Sequence, residues 1–84
     1  MRTHFLKTVQ PYFSDVRSRS KSFELRKDDR GFAVGDVLIL QEYDPVSGAY
    51  TNEQEERVVG YIFRGGLFGL SEGYCILGFQ NERG

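Results

Sequence analysis

The sequence predicts an α+β domain, mainly β, built as a strongly curved sheet or partly closed barrel of about five or six strands with one N-terminal helix. Three observations lead there. Only one segment carries helical periodicity, whereas several others alternate or run apolar over strand-sized lengths between turn residues. The longest unbroken apolar stretch, Val37-Leu38-Ile39-Leu40, has the length of a strand and falls far short of the ~18 residues a membrane helix needs. The 84 residues make one domain, 1–84, and 39% apolar with 27% charged residues is the composition of a folded chain rather than a disordered one.

Residues 4–7 are expected to form a short first strand. The helix is placed at about 9–19, because Val9, Tyr12, Phe13 and Val16 stand at i, i+3, i+4 and i+7. Thr8 is its expected N-cap, Pro11 fits its first turn, and Arg17 and Arg19 suit the negative end of the helix dipole. Residues 22–27 alternate as a strand, with Phe23 and Leu25 on the face expected to be buried and Ser22, Glu24 and Arg26 on the other. Turns at 28–31 and 34–36 lead into a strand at 37–43, apolar on both faces at Leu38, Ile39 and Leu40. Asp44 to Gly48 has the residues of a hairpin loop, followed by a strand at about 54–64 in which Gly60 marks a bulge or bend. A glycine-rich loop from Gly65 to Gly73 precedes a last strand at 74–79. It lacks the G-K-[ST] ending of a phosphate-binding P-loop and reads as a lid or closing loop with Phe68 as its contact residue.

Composition narrows the chemistry. One cysteine allows no internal disulfide and one histidine no Cys/His metal cage, so neither metal nor cofactor is expected. Cys75, among Ile76 and Leu77, reads as a small buried hydrophobe. MRTHFLKT carries no signal-peptide core, so a mature cytoplasmic protein that does not enter membranes is expected. The net charge of −1 conceals a polarity: residues 1–30 are net +4 and residues 31–84 net −5. That balance disfavours indiscriminate coating of nucleic acid but leaves room for a local basic patch. Glu53, Glu55 and Glu56 are expected to be solvated. Most of Tyr12, Phe13, Tyr43, Tyr61, Phe63, Tyr74 and Phe79 are expected in the core, with Tyr43 and Tyr61 best placed to offer a hydroxyl to a ligand.

The densest polar cluster is Lys21-Ser22-Phe23-Glu24-Leu25-Arg26. Glu24 and Arg26 share one strand face ~6–7 Å apart, with Lys21 just before them. A Lys, a carboxylate and an Arg on one small surface can bind a phosphate and hydrogen-bond a base or sugar, or can serve as general acid and base. An ordinary surface ion pair is the plain alternative.

Lys21-x-x-Glu24-x-Arg26, after a short helix and before a barrel strand, resembles the G-x-K-x-x-E-x-R signature of the ASCH domain (activating signal cointegrator homology), of the PUA-like superfamily. Further blocks agree across nearly the whole chain: His4-x-Leu6-Lys7, Phe23 to Arg30, Phe32-x-Val34-Gly35-Asp36-Val37-Leu38, Glu42-Tyr43-Asp44 and Gly73-Tyr74-x-Ile76-Leu77. They are similar to a small bacterial and phage branch of that family. The family's glycine falls at Arg19, which is a departure in the loop. The resemblance implies a PUA-like barrel with a cleft between helix and barrel wall, and a module that binds RNA or modified nucleotides. Its expected site is Lys21, Glu24 and Arg26, joined by Lys7, His4, Arg19, Arg30 and Tyr61, with Lys21, Glu24 and His4 the catalytic candidates of the alternative reading. That alternative is a small hydrolase acting on a modified nucleoside or RNA. The amidohydrolase branch of the family has a Thr three residues after its Lys; Glu24 stands there instead, so that mechanism does not carry over. A third reading is a protein-interaction module, a homo-oligomer joined through an exposed strand 74–79.

Overall fold

A computed structural model describes residues 1–81. The chain runs β1 (Thr3–Thr8), α1 (Tyr12–Arg17), β2 (Phe23–Lys27), β3 (Val37–Asp44), β4 (Ala49–Arg64), β5 (Tyr74–Phe79). The five strands form one mixed sheet in the order β1-β3-β4-β5-β2, with β1 and β3 parallel and every other pair antiparallel. The sheet is not closed as a barrel. β1 and β2, adjacent in sequence among the strands, are its two edges, and side chains rather than a backbone ladder reach from one to the other.

The middle of the sheet follows its sequence signals. Leu38 and Leu40 are fully buried and Ile39 nearly so. Leu38 and Leu40 pack with Leu6, Val16, Phe32, Val59, Cys75 and Leu77 into one core. The loop at 45–48 joins β3 to β4 as a hairpin, and Gly60 sits at a register shift between Val59 and Tyr61. A Cβ at Gly60 would lie 2.9 Å from the Gln80 backbone, so the chain crosses too closely there for any side chain. β4 begins five residues before the expected start, because Ala49 and Tyr50 continue the ladder opposite Asp44 and Tyr43.

Three expectations are corrected. The helix spans Tyr12–Arg17 rather than 9–19. Thr8 is not its cap, since it ends β1 in register with Glu42 and gives its hydroxyl to the Leu6 carbonyl. Phe13 and Val16 turn into the core while Tyr12 remains half exposed, so the expected apolar stripe is only partly buried. Strand 74–79 is no free edge: β5 lies between β4 and β2, with both sides paired. Aromatic rings are also less buried than expected, with Tyr12 and Tyr74 exposed.

The fourth correction concerns β2, whose two faces are the reverse of the expected ones. Glu24 is 3% exposed, whereas Phe23 is 41% and Leu25 53% exposed. The ladder explains this. Glu24 stands level with Leu77 and Arg26 with Cys75, both wholly buried core residues, while Phe23 and Leu25 stand level with Gly78 and Ile76 on the outer face. Register sets which face a residue takes, so alternation alone could not tell inside from outside on a strand that carries charge inward.

Candidate binding cleft

Pairing to β5 uses one side of β2. Ser22 accepts from the Phe79 N–H and Asp28 donates to Gly73. Alternation therefore turns the N–H and C=O groups of Phe23, Leu25 and Lys27 toward the open edge. That edge faces the end of β1, and the space between holds a cleft of about 450 Å³. Its walls come from Lys7, Thr8 and Val9, from Tyr12 of α1, and from Lys21 with Phe23 to Arg26. The volume is that of a small-ligand site.

Glu24 is the floor of the cluster. One carboxylate oxygen accepts from Lys21 Nζ at 2.6 Å, and the other accepts from Arg26 Nε at 3.0 Å and an Nη at 2.9 Å. The same Arg26 guanidinium donates to the Lys7 carbonyl at 2.7 Å and to the Thr8 hydroxyl at 3.3 Å. Arg26 thus fastens the two sheet edges together through its side chain. Such charge-assisted, partly buried contacts are stronger and better oriented than a surface pair. Glu24 orders the two cations, and its oxygens are committed to them.

The ammonium of Lys21 also lies 5.1 Å from the Phe23 ring centroid and 5.8 Å from that of Tyr12, both within cation–π range and both rings exposed. Lys7 Nζ sits 4.1 Å over the Tyr43 ring. Lys7, Lys21, Arg26 and Glu24 therefore line the cleft, with the rings of Tyr12 and Phe23 beside Lys21. The sequence pattern anticipated the cations and missed the rings. Periodicity places Tyr12 in the helix stripe, and alternation places Phe23 in the core.

The remaining expected site residues lie elsewhere. His4 is buried at 6% exposure, its Nε2 donating to Asp36 at 2.8 Å and its ring against Phe32 at 4.6 Å between centroids. Asp36 also accepts from the N–H groups of Arg2 and Ala33, each at 3.0 Å. The His4 hydrogen bond foremost, with these backbone donors, holds the Asp36 carboxyl down at about 2 against the desolvating effect of burial. The group ties the start of β1 to the turn before β3, and neither His4 nor Asp36 lines the cleft. Arg30 donates to the Phe5 carbonyl at 2.9 Å, closing the exposed edge of β1. Arg19 lines a smaller hollow of about 210 Å³ with Ser22, Arg57 and Gln80, for which Lys21 is the shared wall. Its φ of +69° is left-handed backbone. Tyr61 is 67% exposed on the outer face of the sheet, away from the cleft. The glutamates expected to be solvated are partly engaged: Arg17 bridges Glu53 at 3.0 Å and Glu55 at 2.6 Å. Burial pushes the Cys75 thiol up, which suits packing rather than nucleophilic chemistry.

Among the described residues, no group of three or more His, Cys, Asp or Glu side chains is placed to hold a metal ion, and no helix is long and apolar enough to cross a membrane. No curated protein matches the chain. The model of one family, described as a domain of unknown function (DUF3850), matches residues 3–79, the whole sheet and its cleft, and the chain belongs to that family.

Proposed function

We propose that this domain is an ASCH-like, PUA-like module that binds one nucleotide of a single-stranded RNA, or a modified nucleotide, in the cleft between β1 and β2. The observation that carries the reading is the position of Lys21. A buried carboxylate fixes its ammonium between two exposed rings, with the Arg26 guanidinium on the far side of the same carboxylate. Paired cations suit a phosphate, and rings beside them suit a base. The left-handed backbone at Arg19 supports the family resemblance, because the ASCH glycine falls at that position and glycine adopts such a φ without strain. Glu24 acts in this reading by aiming the cations rather than by accepting from the base.

Binding is favoured over hydrolysis on two grounds. Both Glu24 oxygens are ion-paired with Lys21 or Arg26, and His4 is in the core, so neither is presented to the cleft as an unpaired general base. Titration of a short fluorescent oligouridylate at 50 and 200 mM salt tests the reading. Affinity should fall with salt, and Lys21→Ala should reduce the log–log slope by about 0.7, the contribution of one phosphate contact on a single strand. Equal affinity at both salts, or no binding, overturns it. Turnover of RNA or an acylated nucleoside that Lys21→Ala abolishes would replace it with the hydrolase.

A further inference from the structure

The reversed strand leaves a feature on the far side of β2. Phe23, Gly78 and Tyr61 stand level across β2, β5 and β4, since Gly78 is the register partner of both rings' residues. All three therefore point to the outer face, and the central position has no side chain. Two strand spacings separate the flanking rings' backbones by roughly 9.5 Å. A flat ring in contact on both sides needs roughly 7 Å. A Cβ on Gly78 would lie 3.5 Å from the Tyr61 Cβ, so the room above Gly78 is bounded directly by Tyr61. The next row, Leu25, Ile76 and Phe63, forms an apolar shelf beside it.

Other exposed rings of the described residues pair with one another, which these two do not. Phe68 stacks on Phe63 at 6.2 Å, and Tyr43 meets Tyr50 edge-on at 5.1 Å. Phe23 and Tyr61 contact no other ring among the described residues, at 41% and 67% exposure. Phe23 is also the wall shared with the cleft, where Lys21 Nζ sits 5.1 Å from its ring. The slot and the cationic cleft are thus continuous around one edge strand.

We infer that Phe23, Gly78 and Tyr61 form a stacking slot for a second nucleobase, the neighbour of the nucleotide whose phosphate is held at Lys21 and Arg26. This rests on the proposed function and extends it: the ligand is a single strand of at least two nucleotides rather than a free mononucleotide. Charge favours a nucleic acid over an apolar peptide, because three cations and one carboxylate line the adjoining cleft. Stacking on rings is tolerant of sequence, so the slot adds affinity without choosing a base.

The test compares uridine monophosphate with a fluorescent hexauridylate, on the wild-type chain and on Tyr61→Ala, Tyr61→Phe, Gly78→Val and Lys21→Ala. Tyr61→Ala and Gly78→Val should each weaken the hexamer about tenfold with the salt slope unchanged, the loss expected of one stacked base. Mononucleotide binding should be unaffected by either, and Tyr61→Phe should bind as the wild type does. Lys21→Ala should weaken both ligands. Hexamer affinity equal in wild type and Tyr61→Ala overturns the slot and leaves the cleft standing. Failure of Lys21→Ala to change either ligand, or no binding by the wild type, overturns the cleft reading and the slot with it. A wild-type dimer in sedimentation that Tyr61→Ala dissociates assigns the face to a second copy and also overturns the slot.

Discussion

Asp36 and Glu24 are the two buried aspartate and glutamate side chains of the described core, at 2% and 3% exposure, and every oxygen of both is hydrogen-bonded. Their partners separate them. Asp36 is held by a buried imidazole and two backbone N–H groups, all fixed in the fold, and it does not line the cleft between β1 and β2. Glu24 is held by two long cationic side chains that continue to the wall of a cleft. Burial of a carboxylate therefore marks a structural staple in one place and the floor of a binding surface in the other. The direction in which the partners' remaining donors point decides between the two.

The largest way to test the contrast is to remove the staple. Asp36→Ala leaves a buried histidine and two N–H groups unpaired and should cost about 3–5 kcal/mol, read as a lowered urea midpoint. A loss under about 1 kcal/mol would mean that the loop before β3 re-forms these bonds with water. Acid should expose the same group. Its folded pKa of about 2 lies below the ordinary 3.8, so the unfolded chain takes up the proton first. The stabilisation is complete above pH ~4 and is lost as pH falls toward ~2. Asp36→Asn should flatten stability against pH in that window, and an unchanged slope would assign the acid sensitivity to other carboxylates. Glu24→Gln should cost less stability, about 1–2 kcal/mol, because Lys21 and Arg26 can turn to water. It should weaken oligonucleotide binding about tenfold, whereas Asp36→Asn should leave binding by the folded fraction intact. The smallest effect is expected one residue further along. Leu25→Ala should cost less than about 1 kcal/mol, since the side chain is 53% exposed, whereas Leu77→Ala should cost about 2–5 kcal/mol. Equal losses would restore the inward assignment of Leu25.

Where polarity and position agreed, the sequence was readable. Val37 to Leu40, the 44–48 turn, Gly60 and Cys75 all announce their places by composition, and the structure puts them there. The site was half readable. Lys21, Glu24 and Arg26 stand together in sequence, and their convergence needs only one strand and the preceding turn. Their inward direction was hidden, because a strand that carries paired charge toward the core breaks the rule by which alternation is interpreted. His4 and Arg30 are near Lys7 and Arg26 in sequence but are claimed by partners 32 and 25 residues away, Asp36 and Phe5, which no local pattern encodes. The short helix is a further case: its stripe began at Val9, but the ladder of β1 runs on to Thr8, and helix geometry starts only after Pro11.

The strand order has a kinetic consequence. β3, β4 and β5 follow one another as an antiparallel meander with connections of 4 and 9 residues, so their contacts close short loops. β1 and β2, first to be synthesised, lie at opposite margins of that meander. Each must wait for a strand far downstream: β1 for β3, and β2 for β5, about 50 residues later. Loop-closure entropy therefore orders assembly from the middle outward. Substitutions in the β3–β4 hairpin should slow folding, and those in β1 and β2 should chiefly speed unfolding, a pattern that a chevron analysis of Leu40→Ala against Leu6→Ala would reveal. Lys7 and the Lys21–Arg26 cluster leave the ribosome early but are joined late, so the cleft is completed only once β5 has been made.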